Sequence, residues 1–294
     1  MNESAWITIA SAALTARVDP LGAQLSELRD AQGRQLLWQG DPAVWASRAP
    51  ILFPIVGELS GGMYEHDGRR YRLPRHGFAR TRKFAVMTVT PRSVLMRLQS
   101  DDATLDVYPF PFSLDVSFAI DGATLTVIAS VRNTGTEEMP VSLGLHPGFA
   151  WPLPFGVARG EHALEFETGE PAPIRRLDAQ GLLLPHSRPT PVQGRRLPLD
   201  DALFKDDALI FDRLRSRWVN YGAPGGPKLQ VGFPDASHLG VWTRPGAGFL
   251  CIEPWQGVAD PAGPPGELRG KPGIVRLAPG EPHALHMTVT LLNG

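Results

Sequence analysis

Glycine and proline break this chain at short intervals from one end to the other. The 294 residues include 31 glycines and 29 prolines, 60 together and about a fifth of the chain, well above ordinary usage. They are scattered rather than periodic, so they mark turns, not disorder or a collagen-like repeat. No helical stripe of ten or more residues survives between them. Short apolar segments separated this often predict antiparallel β structure.

Turn chemistry places several of those segments. Asp67-Gly68 and Asp121-Gly122 are hairpin dipeptides, because both residues tolerate the positive φ that tight hairpin turns need. The first joins 63–64 to 71–73. Strands are expected at 84–89, 94–98, 114–120 and 125–131. Residues 5–18 read as two strands with a turn near Ser11, and 23–28 as a third. In 125–131, Val127, Ala129 and Val131 alternate with Ile128 and Ser130, so neither face is strongly polar; burial of both faces between stacked sheets would explain it. Pro50 and Pro54 make 48–57 an extended stretch rather than a central strand. Eight prolines between 151 and 203 predict short strands and long loops. Further strands follow at 219–221, 229–233, 239–243 and 285–292. The expectation is an all-β chain forming one large sandwich domain over residues 1–294.

Charge excludes some partners. Charged residues are 20% of the chain and the formal net charge is −1. No field of one sign recruits nucleic acid or an anionic membrane. Cys251 is the one cysteine; it allows no internal disulfide, fits a reducing compartment, and reads as a small core residue. The amino terminus has no basic region before its apolar residues, and no apolar run reaches 18 residues, so neither a secretory signal nor a membrane span is expected. The expected setting is cytoplasmic, as a monomer or homodimer.

The chemistry centres on Phe249 to Asp260. Residues 249–252 read as a strand, Glu253 follows, and Pro254 removes a ladder donor, so the strand is expected to end there. Desolvation beside Trp255 would raise the Glu253 pKa toward neutrality and make it a general base. An ordinary strand-end glutamate reaching water is the competing reading. His76 and His146 both lie at breaks in β structure, beside Gly77 and Pro147-Gly148; each reads equally as a structural histidine. His66, His162, His186, His238, His283 and His286 read as loop or surface residues. His76, His146 and Glu253 could form a two-histidine, one-carboxylate metal site, but no local spacing supports it, and no metal or cofactor is expected. Ser60-Gly61-Gly62 lacks the lysine and hydroxyl of a phosphate loop.

Six segments together resemble the aldose 1-epimerase, or galactose mutarotase, family. They are Gly22-Ala-Gln-Leu-Ser-Glu-Leu28, Leu52-Phe-Pro-Ile-Val-Gly57, Arg75-His-Gly-Phe78, Gly144-Leu-His-Pro-Gly-Phe149, Asp207-Ala-Leu-Ile-Phe211 and Cys251-Ile-Glu-Pro-Trp255. They span nearly the whole chain. The resemblance implies a large antiparallel β supersandwich and interconversion of sugar anomers without a metal or redox cofactor. It implies Glu253 as general base, His146 as general acid, and Arg48, His76 and Asp207 as ligands to sugar hydroxyls. Trp255 or Trp242 would offer the sugar an apolar face. Leu145-His146-Pro147 stands where better-known galactose mutarotases carry Asn-His before an aromatic, so the resemblance does not assure galactose. Asp207 is preferred over Asp206 because on a strand it would share a face with Leu209 and Phe211. Arg75, Arg80 and Arg82 read as surface charge, or as a phosphate clamp in a hexose 6-phosphate 1-epimerase. A non-catalytic carbohydrate-binding protein is the remaining alternative.

Overall fold

The computed structural model describes residues 6–293. The named strands pair antiparallel throughout, and the longest α-helix among the described residues is the four-residue Asp102–Leu105. None is long and apolar enough to cross a membrane. A nine-stranded sheet runs from Arg196–Pro198 at one edge to Ala85–Thr90 at the other. A six-stranded sheet orders Leu209–Phe211, His238–Trp242, Phe249–Gln256, Leu143–Leu145 and Ile51–Leu52, with Gly148–Ala150 also paired to Phe249–Gln256. Apolar side chains from both sheets form one core. The Asp67-Gly68 hairpin forms as expected; the second hairpin turns one residue later, with Asp121 still paired to Thr124 and Gly122-Ala123 as the turn, and the expected start of the first strand at Ala5 lies outside the described residues.

Two expectations about strands need correction. Thr124–Asn133 is buried on one face only: Leu125, Val127, Ala129 and Val131 point inward, while Ile128 and Ser130 remain half-exposed. The strand buried on both faces is Phe249–Gln256, all eight of its residues. Its Leu250 and Ile252 join the main core; Phe249, Cys251 and Trp255 belong to clusters on the opposite face. Glu253 shares that opposite face by alternation.

The same strand does not stop at Pro254, which pairs in register with Leu239. An antiparallel residue points its N–H and C=O to one side, and Ile252 donates to Pro147. Pro254 therefore turns its missing donor to that side as well. There the ladder is already broken, because Leu143–Leu145 pairs only with residues 255–256 and Gly148–Ala150 only with 249–251. The proline costs no hydrogen bond, and His146-Pro147 fills the gap.

Two histidines also differ from expectation. His66 is 6% exposed, with its ring 4.6 Å from that of Phe110. His162 is 2% exposed and its Nε2 accepts from the Leu153 N–H at 3.1 Å. Polar neighbours in sequence do not reveal this burial, which comes from packing in the folded chain.

Candidate active site

A cavity of about 200 Å³ opens on the face of the six-stranded sheet that points away from the main core. Glu253 and His146 meet in its wall. Glu253 comes from the doubly buried strand, and His146 from the break between the two short strands that flank it. The His146 Nε2 to Glu253 Oε2 distance is 3.0 Å, with both side chains at or below 10% exposure. Their alignment falls short of a hydrogen bond, and neither Glu253 Oε2 nor His146 Nδ1 has another partner. Trp255 Nε1 and Arg75 Nε, on two more cavity residues, are likewise buried and unpartnered. The indole N–H leans toward Glu253 and favours its ionised form slightly, without hydrogen-bond geometry. Buried polar atoms normally find partners; here four lie at one cavity.

Small residues make room for the large ones. A Cβ on Gly240 would lie 2.5 Å from the Trp255 ring, and one on Gly144 would meet both Leu52 and Trp255. Trp255 thus rests on bare backbone of both neighbouring strands. Gly148 does the same for Trp45, whose ring a Cβ would approach to 2.8 Å. Trp45 lies 5.1 Å from the His146 ring at 33°, and Trp242 meets that ring edge-on at 6.0 Å.

Burial sets the protonation of the pair. It pushes His146 down to about 3, and the charges of Arg75 and Arg80 act in the same direction. It pushes Glu253 well above the ordinary carboxylate value, Arg75 opposing and Asp207 adding to the rise. Both shifts disfavour a net charge on the pair. The two directions together favour a pair that holds one proton in total over a pair that holds two or none. Burial disfavours an isolated imidazolium at His146, and the two groups titrate as a coupled pair.

His76 faces His146 edge-on at 5.7 Å. Its Nδ1 accepts the Gly57 N–H at 3.1 Å, and the His76 backbone N–H donates to the Gly57 carbonyl. The proton of the neutral ring is therefore on Nε2, available as a donor. Burial, then His146, hold His76 well below its ordinary pKa. Gly77 makes room for backbone: a Cβ there would run into the Phe53 carbonyl oxygen.

Asp207 lines the cavity, but not by strand alternation. The strand begins at Leu209, and Leu209 and Phe211 face the main core. Asp207 has φ 63°, a left-handed turn that presents it on the opposite side. Arg48 does not line the cavity. Its guanidinium lies 5.1 Å from the Trp6 ring centroid, and its backbone N–H donates to Gln24. Arg75 and Arg80 take the cavity wall instead, correcting their reading as surface charge. Arg82 lies apart, 3.6 Å from Asp101. Trp45, Leu177 and Ala208 complete the wall and are what the sequence reading missed; for Arg75 and Arg80 the signal was two arginines five residues apart around His76-Gly77.

A second cavity, about 570 Å³, adjoins the first and shares Arg75, Leu177, Asp207 and Trp242 with it. Arg176, Arg188, Lys205 and Arg244 make it basic.

The sequence profile of the aldose 1-epimerase family matches residues 6–275. The chain belongs to the aldose 1-epimerase family. Protein LacX, chromosomal, of Lactococcus lactis subsp. lactis is 33% identical over 290 residues, covering 95% of this chain and 97% of that protein. A galactose mutarotase-like protein from Lactobacillus casei superposes with TM-score 0.90 at 27% identity, covering 98% of this chain and 100% of the other. A galactose mutarotase related enzyme from Lactobacillus acidophilus gives 0.89 at 31%, covering 98% and 97%. The supersandwich expected of an aldose 1-epimerase relative is thus the fold observed.

Within this family member, His146, Cys251 and Glu253 bring three potential metal-binding atoms within 4.8 Å of one another. Metal ligation needs them deprotonated. Burial raises both the Cys251 thiol and the Glu253 carboxyl well above their ordinary values, so the donor set is poorly suited to a cation.

Proposed function

We propose that this chain is an aldose 1-epimerase that interconverts the α and β anomers of an aldohexose. The observation that carries the reading is the His146–Glu253 pair, 3.0 Å apart, with unpartnered polar atoms on the wall of a sugar-sized recess.

The one-proton pair suits the reaction. In ring opening the C1 hydroxyl gives its proton to the Glu253 carboxylate while the His146 imidazolium protonates the ring oxygen. The bond between C1 and the ring oxygen breaks and an aldehyde forms. The pair then holds its proton on Glu253 instead of His146, so the count is unchanged. After a half-turn about C1–C2, the freed hydroxyl attacks the other face of the carbonyl. His146 takes the hydroxyl proton and Glu253 returns the other to the former carbonyl oxygen. General acid–base catalysis of this kind contributes typically 10²–10⁴-fold. The His76 Nε2–H, Arg75, Arg80 and Asp207 hold sugar hydroxyls, and Trp242 and Trp255 offer apolar faces.

A second reading, a hexose 6-phosphate 1-epimerase, is favoured by one observation. Arg75 and Arg80 line the cavity, and neither has a carboxylate within the 4.0 Å of an ion pair among the described residues. Guanidinium groups bind phosphate well. Proton NMR exchange between anomers, run across free and 6-phosphorylated hexoses, tests both readings. Exchange on free sugars supports the first. Exchange confined to phosphorylated sugars supports the second. Binding without exchange on any sugar would mean a carbohydrate-binding protein instead.

A further inference from the structure

We propose that Arg176 is the positioning residue that holds Asp207 against the sugar, acting from outside the inner cavity through the backbone of the 203–207 turn; this rests on the epimerase reading above. Asp207 needs such a device. Its left-handed backbone, φ 63°, is sparsely populated by residues other than glycine, though aspartate tolerates it better than most. The turn stands between the one-turn Asp201–Phe204 helix and the Leu209–Phe211 strand. One local bond steadies the side chain, Ala208 N–H to Asp207 Oδ1 at 2.7 Å. That bond orients the carboxylate relative to its own backbone but does not fix the turn in the protein.

Arg176 supplies the missing anchor. Its Nη1 donates to the Asp207 carbonyl and its Nη2 to the Leu203 carbonyl, both at 2.8 Å. A planar fork can grip two carbonyls at once in a single orientation. The backbone on either side is tied down as well. Arg175 exchanges both backbone hydrogen bonds with Ile210, and the Arg176 carbonyl accepts the Leu184 N–H. The fork therefore bridges a fixed segment and both ends of the turn. Arg176 lines the outer basic cavity and not the inner one, so it reaches the sugar through Asp207.

The test compares anomer exchange kinetics in Arg176→Ala, Arg176→Lys, Asp207→Asn and the Arg176→Ala/Asp207→Asn double variant, with thermal melting of each. Arg176→Ala is expected to raise KM roughly tenfold with kcat within about twofold, because a misplaced ligand to the sugar weakens positioning. Added guanidinium ion should lower that KM again. In the Asp207→Asn background the same change should add little, since coupled residues are not additive. Arg176→Lys, which can satisfy one carbonyl but not both at the fork geometry, should raise KM less, and it carries the test should Arg176→Ala fail to fold. A KM unaffected in both Arg176 variants, with Asp207→Asn raising it, would overturn this inference alone. Equal KM effects of Arg176→Ala with and without Asp207 would overturn it too. An Asp207→Asn variant with the parent KM would overturn the sugar-binding assignment of Asp207, and the positioning role with it.

Discussion

Two glutamates are buried to the same depth in this chain and are treated in opposite ways. Glu170 is 2% exposed and Glu253 is 1% exposed. The Glu170 carboxylate accepts three backbone contacts, from Ser216 N–H at 2.7 Å and from Arg215 N–H at 3.1 and 3.2 Å to its two oxygens. Glu253 faces an imidazole at 3.0 Å and keeps Oε2 without a hydrogen bond. A satisfied buried carboxylate fastens two loops. An unsatisfied one carries a standing cost of about 1–3 kcal/mol, which a sugar hydroxyl can remove. Burial alone therefore does not identify a catalytic acid; the state of its partners does.

The largest expected effect is on the partner of Glu253. His146→Asn keeps a side chain able to hydrogen-bond but cannot carry the proton to the ring oxygen. Anomer exchange followed by proton NMR should fall roughly 10²–10⁴-fold, with sugar affinity changed far less. Loss of affinity at an unchanged exchange rate would break the contrast with Glu170, because the pair would then be only a binding feature.

Glu170 should show the reverse. Glu170→Ala leaves the Arg215 and Ser216 N–H groups without their acceptor, at a cost of about 1–3 kcal/mol for each buried donor. Chemical denaturation should report that loss, while turnover of the folded protein stays near the parent value, since Glu170 lines neither cavity. An activity defect in Glu170→Ala at temperatures where it is fully folded would count against the separation.

A smaller effect concerns pH. The folded pair holds one proton between about pH 3 and the raised pKa of Glu253, because burial lowers His146 and raises Glu253. Unfolded, the same groups titrate at their ordinary values of 4.5 and 6.5. Above 6.5 the folded state binds more protons, so this contribution to stability is lost as pH rises. Below 4.5 the unfolded state binds more, so it is lost as pH falls. Between the two it is level. Melting temperature against pH should be flatter above 6.5 in a His146→Asn/Glu253→Gln double variant than in the parent. Equal slopes would mean that the pair does not hold a shared proton.

The sequence carried the architecture well because turns and strands are local. Asp67, Gly68 and Gly122 mark hairpin turns through the positive φ they adopt. Glu253 was legible because an apolar run delivers it to the interior. What was not legible depends on contacts between distant segments. The strand continues past Pro254 because two other strands leave a gap beside it. Arg75 and Arg80 look like surface charge in composition, and only the packed fold puts them in a cavity. Arg48 opens a segment next to the site, yet its guanidinium is taken up against Trp6. Strand alternation favours Asp207 over Asp206 in the sequence but does not reach it in the fold; a left-handed turn, whose carbonyl Arg176 binds, puts Asp207 at the cavity.

The central claim is that Glu253 is kept unsatisfied for chemistry and at the expense of stability. Glu253→Gln preserves the shape, cannot take up a proton, and removes the cost of burying an ionisable carboxyl. Anomer exchange rate and melting temperature, measured on that one variant at pH 7 with sugar affinity alongside, test the claim directly. The account predicts exchange slowed roughly 10²–10⁴-fold, sugar binding largely retained, and a melting temperature equal to or above the parent's. Exchange at the parent rate, or a loss of stability comparable to that of Glu170→Ala, would show that Glu253 is a structural carboxylate like its counterpart.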